Sequence, residues 1–394
     1  MLEHLKAQPA DKILALMAAY REDPRTDKID LGVGVYKDAT GLTPVMRAVK
    51  KAEQKILEEQ NTKAYVSLAG DTAYLDAMIG LVLDGAAPRE NIAAVATPGG
   101  TGAIRQAFEL IKRTAPDATV WYTNPTWPNH VSILNYLDMP SKAFTYFDEA
   151  TRSVDFDGMM ADLANVQAGD VILLHGCCHN PTGANLTADQ WDAVIALIND
   201  KGAMAMVDIA YQGFGDGLAT DGDATRKVAA GVKQCLIAAS CSKNFGIYRE
   251  RTGILMAVAE NAEQAKLAQA NLAFLNRQNY SFPPDHGARV VTTILNDPEL
   301  RADWEAELEE VRLSMLALRQ QLADELRRLT NSDRFDFIAE HRGMFSRLGI
   351  SSDKVDIMRE KNGIYMVGDS RINIAGLNTE TVPLLAKAIV ESGA

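Results

Sequence analysis

The chain has 394 residues, of which 47% are hydrophobic and 23% are charged, as is usual for globular proteins. Its formal net charge of −12 opposes non-specific attraction to nucleic acid or to an anionic membrane surface. The sequence also lacks an apolar run that approaches the roughly 18 residues of a membrane span. These features predict a soluble protein of about two or three domains that binds neither nucleic acid nor membrane.

The N-terminal residues 1–6 show neither the charged and apolar segments of a signal peptide nor the Arg-rich composition of a transit peptide. The 4 cysteines are too few for a disulfide framework in so long a chain, and without export they stay reduced. We therefore expect a cytoplasmic protein.

Short apolar runs alternate with longer amphipathic stretches between about residues 92 and 260. Alternation of this kind favours a largely parallel sheet flanked by helices. The runs that we predict to be strands are residues 119–123, 171–175, 204–209, 235–239 and 253–258.

After Pro298, apolar residues recur at spacings of three and four, which predicts one long amphipathic helix. Strand-like pieces and a closing helix from Thr379 follow it and indicate a smaller α+β domain. The strand-like pieces are residues 335–338, 363–367 and 371–374. We assign residues 1–45 to an N-terminal arm and part of the small domain, residues 46–300 to the large domain, and residues 301–394 to the rest of the small domain.

The glycine-rich segment 97–102 precedes a helical pattern and would expose backbone N–H groups at a helix N-terminus, which suits a phosphate. Alone, such a segment is more often an ordinary loop. Nucleotide motifs are weak, because the chain has no P-loop and segment 32–37 lacks the third glycine of a dinucleotide fingerprint.

Asp208 ends an apolar strand, with Tyr211 three residues later. A carboxylate there could pair with a protonated ring nitrogen of a cofactor, although helix N-capping is an equally good alternative. The Asn-Pro-x-Gly sequence that begins at Asn180 reads, by itself, as a plain turn.

Lys243 lies between Ser240, Ser242 and Arg251, just beyond the predicted strand 235–239. Ligands of open α/β sheets collect at such strand ends, and a lysine, hydroxyls and an arginine together suit a lysine-bound phosphate cofactor. A further arginine, Arg371, could bind a second anion, although any single arginine is more often part of a surface ion pair.

His175, Cys177 and His179 invite a metal interpretation if they share one face of an extended segment. In that geometry the outer pair lies about 13 Å apart, too far to share one zinc ion with ligand distances of about 2.0–2.3 Å. We therefore expect no metal site.

Taken together, these motifs make the chain resemble a fold-type I, pyridoxal-phosphate-dependent aminotransferase of the class I aspartate and aromatic group. The resemblance spans nearly the whole chain. It is carried by residues 32–38, 124–130 and 175–183 and by the segment that contains Lys243.

The resemblance implies pyridoxal 5'-phosphate as the cofactor, with Lys243 carrying it as a Schiff base and then transferring the proton of the substrate α-carbon. Asp208 would hold the pyridine nitrogen protonated. Tyr211 and Asn180 would hydrogen-bond the ring oxygen, and Trp127 would stack on the ring.

The resemblance also implies a homodimer with shared active sites, in which Tyr65 and Arg277 act in the partner's site. Arg277 would receive a side-chain carboxylate, and Arg371 would bind the α-carboxylate. The residues implied to bind the cofactor phosphate are Gly100, Thr101, Ser240, Ser242, Arg251 and Tyr65. The other residues implied to line the substrate site are Gly34, Trp127, Asn180 and Asn129, with His130 and His175 behind Asp208.

Ala64 and Phe282 stand where strict aspartate enzymes of the family carry asparagines, and Gly99 stands where the family often has serine. Fewer buried polar groups make a side-chain pocket easier for an aromatic ring to enter. We therefore predict an aminotransferase that moves the amino group of Phe, Tyr or Trp, and also of Asp or Glu, to 2-oxoglutarate by a ping-pong mechanism. The alternatives are an aspartate aminotransferase and a non-catalytic, cofactor-binding regulatory module.

Overall fold

The computed structural model describes residues 2–7 and 11–393. Its helices, apart from short 3-10 turns, are α1 Lys12–Glu22, α2 Arg47–Glu59, α3 Thr72–Leu83, α4 Gly99–Thr114, α5 Pro128–Tyr136, α6 Phe156–Leu163, α7 Ala188–Lys201, α8 Thr220–Gly231, α9 Ala262–Asn279, α10 His286–Asn296, α11 Pro298–Thr330, α12 Phe337–Glu340, α13 Ser352–Asn362 and α14 Thr381–Glu391.

Thirteen strands accompany these helices within the described residues. They are β1 Ile29–Asp30, β2 Ile92–Pro98, β3 Val120–Asn124, β4 Ser141–Thr145, β5 Phe147–Asp148, β6 Ser153–Val154, β7 Val171–His175, β8 Met204–Ile209, β9 Cys235–Ser240, β10 Thr252–Val258, β11 Phe345–Arg347, β12 Ile364–Tyr365 and β13 Arg371–Asn373.

The large sheet has 7 strands in the order β2-β10-β9-β8-β7-β3-β4, and all except β10 run parallel. This confirms the predicted α/β fold with a mostly parallel sheet flanked by helices. Every residue of β7, β9 and β10 is buried, as expected for strands covered on both faces. The carboxyl ends of the parallel strands therefore meet at one edge of the sheet, where the candidate site residues lie.

The described chain packs as two compact units, one formed by residues 44–314 and the other by residues 1–43 with 315–394. The domain bounds that we predicted at residues 45 and 300 stay a prediction. The long helix predicted after Pro298 is confirmed as α11, and it buries Trp304, Leu308, Leu322 and Leu326 on one face. Within the described residues, no helix combines the length and the apolar character that crossing a membrane requires.

The smaller unit contains two sheets of 2 strands each, β1 with β12 and β11 with β13. The strand predicted at residues 335–338 is wrong, because Phe335 lies in a turn and α12 starts at Phe337. Phe335, Phe337 and Ile338 are all buried, so this segment does not alternate between a buried and an exposed face. The Ile338 amide donates to the Phe335 carbonyl at 3.1 Å, which closes a helical turn instead.

Arg319 of α11 lies completely buried in the smaller unit. Its guanidinium donates to the carbonyl oxygens of Ile338, Gly343 and Phe345 and to the hydroxyl of Ser346, at distances of 2.7–3.0 Å. These bonds satisfy backbone acceptors that the short strands and turns leave over. One arginine therefore holds the loops around α12 and β11 together.

Arg319→Met should lower the free energy of unfolding by roughly 3–5 kcal/mol, because it leaves several buried acceptors without a donor. Denaturant unfolding of both proteins measures this difference. Arg301→Met on the exposed part of the same helix, where Arg301 pairs with Glu305, should change the free energy by only about 0.5 kcal/mol or less. Equal effects of the two substitutions would contradict the role given to Arg319.

Candidate active site

The predicted site residues of the larger unit gather at the carboxyl ends of neighbouring strands. His175 is the last residue of β7, Asp208 is next to last in β8, and Ser240 ends β9. His175 and Asp208 stand opposite each other in the β7–β8 register. This placement follows from the parallel strand order, which brings segments distant in sequence to one edge.

Asp208 is buried, and its carboxylate lies 3.0 Å from Nε2 of His130. A carboxylate only accepts hydrogen bonds, so Nε2 carries the proton, and the hydroxyl of Thr126, 2.9 Å from Nδ1, orients the other side of the ring. Burial alone would raise the pKa of Asp208, but the hydrogen bond and charge of His130 outweigh it and lower the pKa. Asp208 is thus held as an anion within a strand, and the N-capping interpretation is wrong.

His175 is buried beside this pair, with its ring centroid 5.3 Å from that of His130. Neither ring nitrogen of His175 has a hydrogen-bond partner among the described residues. Burial, followed by the neighbouring His130, lowers the pKa of His175 to about 3, although Asp208 opposes this shift. His175 is therefore a neutral imidazole at ordinary pH.

Lys243 follows β9, and its Nζ lies 5.0 Å from the ring centroid of Tyr211. Burial lowers the pKa of Lys243, with the charge of Arg251 acting in the same direction and that of Asp208 opposing it. The next residues fix this segment, because Phe245 stacks on Trp304 at 4.4 Å. The segment that carries the lysine is thus held by packing, and burial lowers the pKa of Lys243.

Asn180 and Tyr211 are brought together, with the amide Nδ2 donating to the Tyr211 hydroxyl at 3.4 Å. The amide oxygen of Asn180 is buried and has no hydrogen-bond partner within the described part of the chain. Trp127 meets His130 edge to face at a centroid distance of 5.1 Å. The structure therefore groups four of the predicted cofactor residues, Asn180, Tyr211, Trp127 and Asp208, around Lys243.

A second group of predicted residues surrounds the N-terminus of α4, which begins at Gly99 and includes Gly100 and Thr101 in its first turn. A Cβ atom on Gly100 would lie 3.0 Å from the Ser240 Cβ, so the serine packs closely on this turn. The Ser242 amide donates to the Ser240 hydroxyl at 3.2 Å. Ser240 therefore lies against the first turn of α4, and a helix N-terminus of this kind suits an anion.

Arg251 completes this anion site, with Nη1 donating to the Tyr248 carbonyl at 2.9 Å and lying 3.5 Å from the Ser242 hydroxyl. A Cβ atom on Gly99 would lie only 2.6 Å from Nη2 of Arg251, and Gly99 has φ +72°. Serine at position 99 would displace the guanidinium. Glycine at position 99, where the family often has serine, therefore leaves space that the Arg251 guanidinium occupies.

The extended geometry assumed for residues 175–179 is wrong, because the ring centroids of His175 and His179 lie 4.4 Å apart. The chain turns after β7 instead of staying extended, and His179 uses its ring nitrogens on Thr182 at 2.8 Å and Thr123 at 3.0 Å. The expectation that no metal binds stays a prediction.

Cys177 and Cys178 approach the buried carboxylate of Asp221. That carboxylate already accepts the backbone N–H groups of Gly213, Gly215 and Asp216 at 2.8–2.9 Å. Asp221 therefore braces the loop that follows Tyr211, and the sequence analysis missed this role.

Tyr65 and Arg277 form a separate group in the larger unit. Tyr65 is 85% exposed and stacks on Phe282 with ring centroids 4.7 Å apart. Arg277 lies 5.7 Å from the same ring centroid and donates to the Ser281 hydroxyl at 2.6 Å. Among the described residues, Tyr65 and Arg277 both contact Phe282, and neither of them contacts Lys243. Asn129 lies in the first turn of α5 and is half-buried.

Arg371 lies in the smaller unit, where it is buried and donates to the Gly32 carbonyl at 2.7 Å. Its guanidinium lies 4.3 Å from the ring centroid of Phe345, and a Cβ atom on Gly34 would come within 2.9 Å of the same ring. Asn373, which the sequence analysis did not single out, donates to the carbonyls of Val33 and Val35. Gly34 and Arg371 are therefore held in one group.

The two groups around Lys243, on a mostly parallel sheet, define a fold-type I transferase that uses a lysine-bound phosphate cofactor. The chain belongs to the family of class I and II aminotransferases, whose family model matches residues 26–389. The cofactor of this family is pyridoxal 5'-phosphate.

The aromatic-amino-acid aminotransferase of Paracoccus denitrificans is 60% identical over 393 residues and covers 100% of both chains. A solved aromatic amino acid aminotransferase structure with 3-indolebutyric acid has a TM-score of 0.98, 60% identity and full coverage of both chains. A Burkholderia pseudomallei aromatic-amino-acid aminotransferase covalently bound to pyridoxal phosphate has a TM-score of 0.97, 36% identity, and 100% and 99% coverage.

His175→Gln should make stability less sensitive to acid. The unfolded chain protonates His175 below pH about 6.5, whereas the folded chain does so only near the lowered pKa of about 3. Protonation therefore favours the unfolded chain, so the contribution of His175 to the free energy of unfolding is complete above pH about 6.5 and is lost as the pH falls. The wild type should therefore lose about 2 kcal/mol more than the variant between pH 7 and pH 5. Urea unfolding at both pH values tests this, and equal losses would contradict it.

Proposed function

We propose that the protein is an aromatic-amino-acid aminotransferase with dual specificity, which transfers the amino group of Phe, Tyr or Trp, and also of Asp or Glu, to 2-oxoglutarate. The observation that carries the proposal is the grouping of Lys243, whose pKa is lowered by burial, with the anionic Asp208. Perturbed and opposed titratable groups in one site are typical of proton-transfer catalysis.

The residues of the larger unit fit pyridoxal 5'-phosphate. The buried, unpartnered amide oxygen of Asn180 indicates that its amide faces a group outside the described chain, and the Tyr211 hydroxyl lies beside it. Asp208 would hold the pyridine nitrogen protonated, and Trp127 would cover the ring. The residues that would hold the phosphate are Gly100, Thr101, Ser240, Ser242 and Arg251, with Tyr65 from the partner subunit.

When bound, pyridoxal 5'-phosphate supplies an electron sink for the charge that develops at the substrate α-carbon. Lys243 then acts as the base that removes the α-proton and returns a proton in the second half of the ping-pong cycle. Burial is the largest influence on the pKa of Lys243, and it favours the neutral amine that can accept a proton. His130 keeps Asp208 anionic through the bond at 3.0 Å.

We propose that Arg371 binds the substrate α-carboxylate by its two-point fork, because its buried guanidinium is fixed by the Gly32 carbonyl and Phe345. Gly34 leaves room beside Phe345 that a side chain would fill. In the larger unit, the residues that we assign to substrate binding are Asn180, Asn129 and Trp127.

The choice of aromatic substrates is supported by the apolar residues Ala64 and Phe282 near the proposed side-chain site and by the 60% identical relative of that name. We retain Asp and Glu as substrates because the guanidinium of Arg277 can bind a second carboxylate at two points. An aspartate aminotransferase of Salmonella typhi is also 42% identical over 393 residues, covering 99% of each chain. An aspartate aminotransferase proper therefore stays the closest alternative.

A homodimer is part of the proposal, because Tyr65 and Arg277 would serve the partner's site. The support is that Tyr65 is 85% exposed and that both side chains contact the same Phe282 ring. A large exposed aromatic side chain is typical of a protein interface. A cytoplasmic location fits the four buried cysteines that form no disulfide.

With 2-oxoglutarate as acceptor, the wild type should turn over Phe or Tyr with kcat/KM within about tenfold of that for Asp. Stopped-flow or coupled spectrophotometric assays measure the ratio. Lys243→Ala is the control, and it should reduce transamination by at least about 10⁴-fold because base and covalent attachment are lost together. Tyrosine turnover thousands of times slower than aspartate turnover would favour the aspartate enzyme, and an active Lys243→Ala would overturn the catalytic assignment.

Subunit hybrids test whether Arg277 acts across the dimer. Mixing refolded Lys243→Ala and Arg277→Ala chains should restore about a quarter of the wild-type activity toward aspartate, since random pairing gives half hybrids with one intact site each. Mixing Lys243→Ala with Arg371→Ala should restore none, because both residues are assigned to the same chain's site. Restoration in both mixtures, or in neither, would contradict the shared site.

A further inference from the structure

Four side chains near the C-terminus of α9 form one surface group that we call the Phe282 cluster: Tyr65, Arg277, Ser281 and Phe282. Phe282 contacts both long members, stacking with Tyr65 at 4.7 Å and 17° and lying 5.7 Å from the Arg277 guanidinium. Ser281 accepts from Arg277 at 2.6 Å. The Phe282 ring thus contacts Tyr65, which we assigned to the cofactor phosphate, and Arg277, which we assigned to the side-chain carboxylate of the substrate.

The base of the Phe282 cluster is rigid. Asn276, one residue before Arg277, is fully buried, and its amide donates to the carbonyls of Leu68 at 2.7 Å and Ala96 at 3.2 Å. Leu68 lies three residues after Tyr65, and Ala96 lies in β2, just before the first turn of α4. The Asn276 side chain therefore connects the end of α9 to the segment after Tyr65 and to β2, which leads to the first turn of α4.

A second anchor supports this base, because the Tyr280 hydroxyl donates to Gln106 of α4 at 3.0 Å. The backbone around Phe282 is thus fixed to β2 and α4. Tyr65 and Arg277, in contrast, have exposed side chains, and ordering such side chains costs rotamer entropy. A fixed ring that contacts both of them reduces the freedom that each would lose on meeting a ligand.

We propose that Phe282 is a positioning residue that sets Tyr65 and Arg277 together, and so links retention of the cofactor phosphate to recognition of a substrate's side-chain carboxylate. The inference rests on the proposed function, in which these two residues reach the partner's site. In this role Phe282 acts through Tyr65 and Arg277, in addition to the apolar surface that we assign to it near the side-chain site.

Phe282→Leu keeps an apolar side chain but removes the ring face. The dissociation constant for pyridoxal 5'-phosphate should rise about 3- to 10-fold, the range expected for one stacking or cation–π contact. At saturating cofactor, kcat/KM for aspartate should fall about 3- to 10-fold, mainly through KM. The value for phenylalanine should fall less than the value for aspartate, because a substrate without a second carboxylate does not need the Arg277 fork.

The experiment measures both quantities on the same three variants: absorbance titration of apoenzyme with pyridoxal 5'-phosphate, and steady-state kinetics with aspartate and phenylalanine. Phe274→Leu is the matched control, since Phe274 lies on α9, the helix that carries Arg277, is 45% exposed and has Arg113 5.0 Å from its ring centroid. It should change neither quantity. Phe282→Tyr keeps the ring face and should behave like the wild type.

Unchanged cofactor affinity and unchanged substrate ratio in Phe282→Leu would overturn the inference. So would equal losses for aspartate and phenylalanine, which indicate a general structural defect, or a change in only one of the two quantities, which breaks the proposed link. A wild-type protein that transaminates neither substrate would contradict the proposed function instead, and the cofactor titration would still decide whether Phe282 positions Tyr65.

Discussion

The hydrogen bond between His130 and Asp208 is the interaction on which the proposed active site depends. A carboxylate buried at the end of a central strand would ordinarily become neutral, since desolvation disfavours its charge. Nε2 of His130, 3.0 Å away, prevents this, and Thr126 fixes the orientation of the histidine ring. The negative charge of Asp208 in turn opposes the lowering of the Lys243 pKa that burial causes. Burial and the charge of Asp208 thus act in opposite directions on the Lys243 pKa, and burial has the larger effect.

The sheet explains why these groups can be arranged so closely. Asp208 comes from β8, Lys243 from the loop after β9 and His130 from the helix after β3, and the parallel order delivers all of them to one edge. The antiparallel strand β10 lies between β2 and β9 and places Thr252 opposite Pro98 and Gly253 opposite both Thr97 and Ser240. The first turn of α4, Arg251 and Ser240 therefore lie at or next to the ends of neighbouring strands, although the α4 turn is far from the other two in sequence.

Local sequence pattern predicted what depends on local physics. Residues 171–175 and 204–209 coincide with β7 and β8, because strands buried on both faces read as continuous apolar runs. The same pattern failed at Phe335, where a helical turn buries consecutive apolar residues, and at His179, where a turn brings two histidines together. Asn276 could not be found, because its partners are backbone groups of distant segments. Asp221 binds backbone groups of the nearby loop, and such bonds also leave no periodic signal.

Gly99 and Arg251 illustrate how such packing limits later change. The Cβ position of Gly99 falls against the arginine, and that of Gly253 falls 2.5 Å from the backbone of Gly99. A side chain at position 99 therefore requires the Arg251 guanidinium to move, and one at position 253 requires the backbone of Gly99 to move. The candidate anion site is in this sense epistatic, because the effect of a substitution at position 99 depends on the conformations that Arg251 can adopt.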